Sequence, residues 1–199
     1  MKKWIPMLLI VAILVIVGGY MAKLNNELVV LDEGVNAQWS NVESTYQRRA
    51  DLIPNIVNTA KGYAEFEQET LRQVTEARSK ATSVTIDPSN ITPQQLEQFQ
   101  EVQGGLTSAL ARLLAVFERY PDLKANENFK ELINELERSE NRINVERIRY
   151  NDEAEKLNIA VKKFPAKIFA GMLGFDERAY FEADEGTDQA PQVEFDFGN

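Results

Sequence analysis

The sequence predicts an all-α protein in which an N-terminal transmembrane helix continues into a long helical bundle. Three observations predict this fold class. Apolar residues recur at three- and four-residue steps along most of the chain, a continuous apolar run stands near the N-terminus, and the first clear cluster of turn-forming residues comes only at Ser83. We expect a membrane anchor over residues 1–23, a bundle domain over 24–181 and an acidic, disordered tail over 182–199.

The first element is the apolar run from Trp4 to Ala22, which follows two lysines. Its length of about 19 residues is close to the roughly 20 that span the hydrocarbon core of a bilayer as a helix. The alternative is a cleaved signal peptide with its cleavage site near Val17-Gly18-Gly19, but the run is longer than the apolar region of a typical signal peptide. We therefore predict an uncleaved, single-pass membrane anchor.

The charges that flank this run predict its orientation. Lys2, Lys3 and the amino terminus precede it, whereas only Lys23 follows it before the acidic Glu27. Positive charge is retained on the cytoplasmic side of a membrane helix. We expect the N-terminus in the cytoplasm and the bundle on the periplasmic or extracytoplasmic side.

The apolar stripe predicts bundle helices at about 24–81, 93–120 and 129–164, and a short one at 166–174. The first would continue from the anchor as a rod of about 80 Å, at roughly 1.5 Å per residue. Pro54 lies inside it and should remove one ladder hydrogen bond and kink the helix. A hairpin at Pro54 is less favoured, because apolar residues surround the proline.

The later helices have clear start and stop signals. Thr92 and Pro93 are typical of a helix start, with a hydroxyl cap and a proline at the first helical position. Pro121 is predicted to end that helix. The next carries apolar residues at heptad spacing and is predicted to stop at Pro165.

Four polar residues fall on the apolar seams, namely Arg49, Gln103, Glu140 and Arg147. Buried ionic and amide groups must be paired, and in helical bundles they fix register and partner choice. We predict that Arg49 reaches a carboxylate such as Glu140 across the bundle. A catalytic role for Glu140 is disfavoured, because no second acid, metal ligand or oxyanion donor accompanies it at helical spacing.

Arg48, Arg49 and Asp51 form a polar cluster within the first helix. Arg48 and Asp51 are three residues apart, so we expect them to pair on one helix face. The alternative is that the three residues hold a ligand phosphate or an acidic partner. The internal network is the favoured interpretation.

The composition excludes several function classes. The chain has no cysteine and no histidine, which removes disulfides, thiolate nucleophiles, imidazole bases and the usual zinc ligands. Its net charge is -9, and eight of the 31 acidic residues lie from Asp176 onwards beside a single arginine. We expect no nucleic-acid partner, because the body lacks a basic face.

No phosphate loop, nucleophile elbow or metal-binding helix motif is present, so we expect a protein that is not an enzyme, without catalytic, cofactor-binding or metal-binding residues.

Two further features suggest contacts with other molecules. Val145, Ile148 and Ile159 form a second, weaker apolar stripe that predicts a contact face between subunits and hence a homo-oligomer. Phe195 and Phe197 alternate with acids and could add as a strand to a partner's sheet edge, with a solvated tail as the more favoured interpretation.

Several stretches of the chain resemble one known family over about residues 28–181. They include Trp39-Ser40-Asn41-Val42-Glu43, the run from Tyr46 through Pro54 to Asn55, Lys61-Gly62-Tyr63, Tyr120 to Phe129, Tyr150-Asn151, Phe164-Pro165 and Gly174-Phe175. On these residues the chain resembles the LemA family of bacterial membrane-anchored helical proteins.

The resemblance implies an antiparallel bundle of the four-helix type behind one membrane helix in the bacterial inner membrane. It also implies no known enzymatic activity and an association with membrane proteins, including zinc metalloproteases of the HtpX type. Two hypotheses follow. The first is a non-enzymatic membrane-anchored scaffold that self-associates and organises membrane or membrane-protein partners. The second is an adaptor for a membrane protease or another enzyme complex, with the acidic tail as its hook.

Overall fold

The computed structural model describes residues 4–62 and 67–182, and over these residues it is all-α, which confirms the predicted fold class. Its helices are α1 (Ile5–Lys61), α2 (Gln68–Ser83), α3 (Pro93–Phe117), α4 (Pro121–Ala125), α5 (Glu127–Lys162) and α6 (Ala166–Phe169). Two 3-10 turns, Pro88–Asn90 and Gly171–Leu173, complete the described elements.

The four long helices pack in antiparallel pairs. Along α1 and α5 the order of contacts is reversed, since Gln38 reaches Glu146 whereas the later Arg49 reaches the earlier Glu140. α2 packs against α3 in the same reversed sense and also lies along the C-terminal part of α1. The arrangement is an antiparallel bundle with α1 and α5 as its longest members.

The N-terminal part of α1 is long and apolar enough to cross a membrane by length and composition, and almost none of it is buried in the bundle. Leu24 is the first residue of α1 that belongs to the core. α1 has 57 residues, so at 1.5 Å per residue it measures about 85 Å. One helix therefore carries both the apolar stretch and one side of the bundle.

The predicted single helix over 24–81 is wrong, because the chain turns after Lys61 and α2 begins at Gln68. Gly62 is the C-terminal cap residue of α1, and its amide donates to the Thr59 carbonyl. The apolar periodicity continues across this turn because α1 and α2 bury their stripes in the same core, and periodicity does not report chain direction. Pro54, in contrast, lies inside α1 without ending it.

Other predicted bounds are corrected in the same way. The second predicted helix ends at Phe117 instead of 120. Pro121 opens α4 instead of stopping the preceding helix, since a missing N–H is harmless in the first turn.

The predicted 129–164 helix is Glu127–Lys162, because Asn126 caps it by accepting a hydrogen bond from the Phe129 amide. The predicted 166–174 helix consists of the four residues of α6 followed by a 3-10 turn. The hydroxyl cap of Thr92 is present as predicted, and Gln95 completes a capping box with it.

The buried side chains form two clusters stacked along the bundle. The proximal core lies nearer the apolar stretch and is built around Leu28, Trp39, Tyr46, Phe99, Tyr150, Leu157 and Phe181. The distal core lies beyond it and is built around Ile53, Ile56, Leu71, Leu106, Leu113, Leu123 and Phe129. A layer of polar side chains lies between the two.

Candidate functional site: a buried polar layer, a strap and an exposed helix face

The polar layer is centred on Arg49, whose side chain is only 1% exposed. Its Nη1 donates to Thr107 Oγ1 at 2.8 Å and to Glu140 Oε1 at 2.9 Å. Its Nη2 donates to Gln103 Oε1 at 2.6 Å, and its guanidinium lies 5.1 Å from the Tyr46 ring centroid. The pairing with Glu140 is the one that the seam positions predict.

Gln103 extends this layer to a fourth helix. Its Nε2 donates to the Ala81 carbonyl on α2 at 3.2 Å, while its Oε1 accepts from Arg49. The layer therefore joins α1, α2, α3 and α5 at one level between the two cores. Since a buried guanidinium is costly unless each partner is in place, any slip of one helix against another would leave a charge unpaired. The polar layer therefore fixes the position of each helix along its neighbours.

Pro54 creates a second polar contact that the sequence analysis missed. Because proline has no N–H, the carbonyl of Ala50 four residues earlier has no helical donor. Arg78 on α2 supplies one, with its Nε donating to Ala50 O at 2.7 Å. The proline thus leaves one carbonyl of α1 free to accept a hydrogen bond from α2. The Arg78 guanidinium donates that bond and so links the two helices. Only the missing N–H of Pro54 signals this contact in the sequence, and it does not say which side chain answers it.

The predicted pair of Arg48 and Asp51 is wrong. Asp51 accepts from Gln47 Nε2 at 2.8 Å, four residues earlier on α1, and lies 3.9 Å from Arg78 Nη2. Arg48 is exposed and points away from the core. An arginine placed before an acid on a helix is the weaker orientation for such a pair, and two better-placed donors surround Asp51.

Aromatic side chains fill the middle of the proximal core. Trp39 stacks on Phe181 with ring centroids 5.9 Å apart and meets Tyr150 edge-on at 5.6 Å. Phe99 lies 5.3 Å from Trp39 and 5.0 Å from Tyr46. Trp39 and Tyr46, which the sequence analysis singled out, therefore pack as structural core residues. Burial raises the pKa of Tyr150 to about 12, so its phenol stays neutral and donates to the Ala179 carbonyl.

Phe181 belongs to a segment that we call the strap, residues 175–182, which has no regular secondary structure and lies along α5. Asn158 donates to the Arg178 carbonyl at 2.9 Å and accepts from its amide at 2.7 Å. Asn151 makes the same two bonds to Phe181, at 2.9 and 2.8 Å. Seven helical residues rise about 10.5 Å, which three nearly extended strap residues can span. The two asparagines thus hold the strap at matched spacing.

The strap also closes over α1 and α5 through charged side chains. Arg178 is buried and donates to Asp32 on α1 at 2.6 Å. Arg147 lies half-buried under the strap, where it donates to the Glu182 carbonyl at 2.6 Å and its guanidinium carbon lies 5.2 Å from the Phe181 ring centroid. The expected seam position of Arg147 is therefore corrected: Glu146 is the buried residue, because a straight helix drifts from a strict heptad.

The predicted outer stripe of α5 is exposed. Val145 is 45%, Ile148 62% and Ile159 42% accessible. These side chains leave an apolar strip on the outside of the bundle. Phe195 and Phe197, together with the rest of the tail from residue 183, lie outside the described residues.

Two features of the described residues bear on a metal site or a catalytic groove. No group of three acidic side chains that could hold a metal ion occurs among them. Two grooves have volumes of about 420 and 480 Å³, and both are open to solvent. The first is lined by Leu52, Asn55, Asn128, Glu131, Leu132 and Glu135. Its polar lining consists of two amides and two carboxylates.

Asn151, Asn158, Arg178 and Thr107 are structural residues that sequence reasoning also missed. Their partners are backbone atoms or residues distant in the sequence. The heptad spacing of the two asparagines was the available signal, but it does not identify a backbone partner.

The chain is similar in sequence to one protein family and to several known proteins. The sequence profile of the LemA family matches residues 38–195. Magnetosome protein MamQ 2 of Paramagnetospirillum magneticum is 28% identical over 176 residues, covering 79% of this chain and 64% of that protein. This chain therefore spans less than two thirds of the length of that relative.

Two further relatives are similar at the same level. Magnetosome protein MamQ of Magnetospirillum gryphiswaldense is 26% identical over 190 residues, covering 84% of this chain and 69% of that protein. Protein LemA of Metamycoplasma hominis is 28% identical over 161 residues, covering 80% and 69% respectively. None of these three names states a catalytic activity.

Proposed function

Because the chain belongs to the LemA family, we propose that it is a non-enzymatic, membrane-anchored scaffold that self-associates and organises membrane or membrane-protein partners. One observation carries this proposal. The exposed apolar stretch and the side of the bundle are parts of the same uninterrupted helix, α1. A bundle attached in this way is held at a fixed distance and angle from the bilayer, as a scaffold requires.

Self-association is supported by the outer strip of α5. Isolated exposed apolar residues are common on soluble proteins, but Val145 and Ile148 lie one turn apart on the same helix and are both accessible. A second copy that packs here would remove both side chains from water. The buried polar layer fixes the register of the helix that presents them.

The test is the subunit number of the purified full chain in mild detergent. We expect an oligomer that dissociates when Val145→Gln and Ile148→Gln are combined, because both side chains leave an apolar interface. The matched control is Val30→Gln, an exposed apolar residue on α1. A wild-type monomer, or an oligomer that the double variant leaves intact, would contradict self-association through this strip.

The alternative adaptor function gives a different result when residues 183–199 are removed. A scaffold keeps its assembly without the tail. An adaptor is a monomer that loses its partner, and a membrane zinc metalloprotease of the HtpX type is the partner we propose to test first. Co-purification of that protease with the full chain, lost on truncation, would favour the adaptor.

The proposed anchor is uncleaved and places the bundle outside the cytoplasm of a bacterial inner membrane. Because the chain has no cysteine, Ser79→Cys on the exposed face of α2 provides a single reactive thiol. We expect a membrane-impermeant maleimide to label this thiol in intact spheroplasts. Labelling only after lysis would reverse the orientation, and a purified chain that starts beyond Gly19 would identify a cleaved signal peptide.

A further inference from the structure

The corner between α5 and the 3-10 turn at Gly171–Leu173 exposes large apolar side chains. Phe164 is 84%, Ile168 58% and Met172 76% accessible. The segment at 166–174, expected as a short helix, follows α5 directly. Its Ala166 and Ala170 are buried in the proximal core, but the three larger side chains project outward.

The position of this corner is set by a contact with the apolar part of α1. The ring of Phe169 on α6 lies 6.0 Å from the ring of Tyr20. Tyr20 precedes Lys23 by three residues, or about 4.5 Å along the helix axis, so it lies in the last turn of the apolar stretch. The corner therefore stands at the level where the proposed membrane anchor leaves the hydrocarbon.

Two exposed lysines lie on the corner itself, while Glu27 of α1 lines the groove beside Lys163 and Phe164. Lys163 and Lys167 are exposed, and among the described residues neither forms an ion pair with a carboxylate, whereas the adjacent Lys162 binds Glu177 at 2.6 Å. Lysines beside apolar side chains are typical of segments that lie in the headgroup region, where the stem is buried and the ammonium meets phosphate.

We infer that the α5–α6 corner, with Phe164, Ile168 and Met172, is a second membrane contact that inserts into the interface of an anionic bilayer beside the anchor. The inference rests on the proposed membrane anchoring through α1. The occupant is lipid because the corner is continuous with the anchor and carries two lysines without an acidic partner in the described part of the chain. With two contacts on opposite chain segments, the bundle cannot rotate about the axis of α1.

The experiment uses the full chain in vesicles that contain phosphatidylglycerol, with spin labels on single cysteines. Ile168→Cys and Met172→Cys report the corner, Val11→Cys reports the anchor, and Ser79→Cys is the aqueous control on the exposed face of α2. We expect the two corner labels to collide severalfold more often with oxygen than with a water-soluble nickel chelate, as the Val11 label does. The Ser79 label should show the reverse order.

The other outcomes are distinguishable. Corner labels that match the Ser79 label while the Val11 label stays in the bilayer overturn the inference and leave the anchor standing. Corner labels shielded from both reagents indicate contact with a second copy and also overturn it. A Val11 label in water refutes the anchor and this inference together.

A second variant tests the role of charge. Combined Lys163→Glu and Lys167→Glu should lower the oxygen preference of the Met172 label in phosphatidylglycerol vesicles and leave it unchanged in pure phosphatidylcholine. An equal effect in both lipids, or none in either, would contradict electrostatic recognition of the headgroups.

Discussion

The proximal and distal halves of the bundle are completed in different ways. The distal core is closed by the four long helices, each of which contributes an apolar stripe, together with Leu123 of α4. α1 and α5 continue into the proximal core, whereas α2 does not reach it. The side of the core that α2 leaves uncovered is filled by the start of α3, the strap and a group of aromatic rings. Helix periodicity therefore builds one half, while hydrogen bonds from side chains to backbone complete the other.

The Arg49 layer holds the two halves in register, so removing it should have the largest effect. Arg49→Met leaves Gln103 and Glu140 without their donor and should lower the free energy of unfolding by about 3–5 kcal/mol. Denaturant unfolding of the full chain in detergent measures this loss. The exposed neighbour Arg48→Ala serves as control, with an expected change within about 0.5 kcal/mol.

A loss below about 1 kcal/mol for Arg49→Met would show that the two cores pack independently of the polar layer. The proximal and distal halves would then be two separate folding units rather than one coupled bundle.

The second prediction concerns the strap, which separates the proximal half from the distal one. Asn158→Ala leaves the amide and carbonyl of Arg178 unpaired in a buried site and should cost about 2–4 kcal/mol. Hydrogen exchange should show faster exchange at the Arg178 and Phe181 amides, with distal helices unaffected. The matched control is Asn144→Ala, an exposed asparagine one heptad before Asn151. Unchanged exchange at both strap amides would contradict the clamp.

These two sites show what could be predicted from the sequence. Arg49, Gln103 and Glu140 stood out because charged and amide groups interrupt an apolar stripe, and the same stripe predicts the helices themselves. The strap contacts could not be found in this way, since Asn151 and Asn158 bind backbone atoms that every residue has. The turn at Gly62 was missed because two antiparallel helices that share a core keep one periodicity.

The third prediction uses the buried phenol of the proximal core. The pKa of Tyr150 is raised to about 12 from 10.0, so folding favours the neutral form. Its contribution is complete below pH 10 and is lost as the pH rises towards 12, by an amount on the order of 2 kcal/mol. Comparing wild type with Tyr150→Phe between pH 9 and 12 isolates this loss, since other groups titrate equally in both. Parallel curves for the two proteins would contradict the burial of the phenol.

The fourth and smallest effect lies in the distal half, at Pro54. Arg78→Met should cost about 1–2 kcal/mol in the wild type, because the Ala50 carbonyl loses its donor. In a Pro54→Ala background the cost should fall, since residue 54 then supplies the helical N–H. A double-mutant cycle measures the coupling, which we expect at about 1 kcal/mol. An equal cost in both backgrounds would show that Arg78 acts independently of the proline.

The proposed rigid mounting of the bundle depends on the continuity of α1 between the apolar stretch and the proximal core. The critical point is Gly18 and Gly19, which lie in this helix with open space around them. Spin labels at Ile10→Cys and Val30→Cys bracket both glycines in the full chain reconstituted in a bilayer. A continuous helix predicts one narrow distance distribution near about 30 Å, from 1.5 Å per residue. A broad distribution centred at shorter distances would show a hinge, and the bundle would then not be a rigidly mounted scaffold.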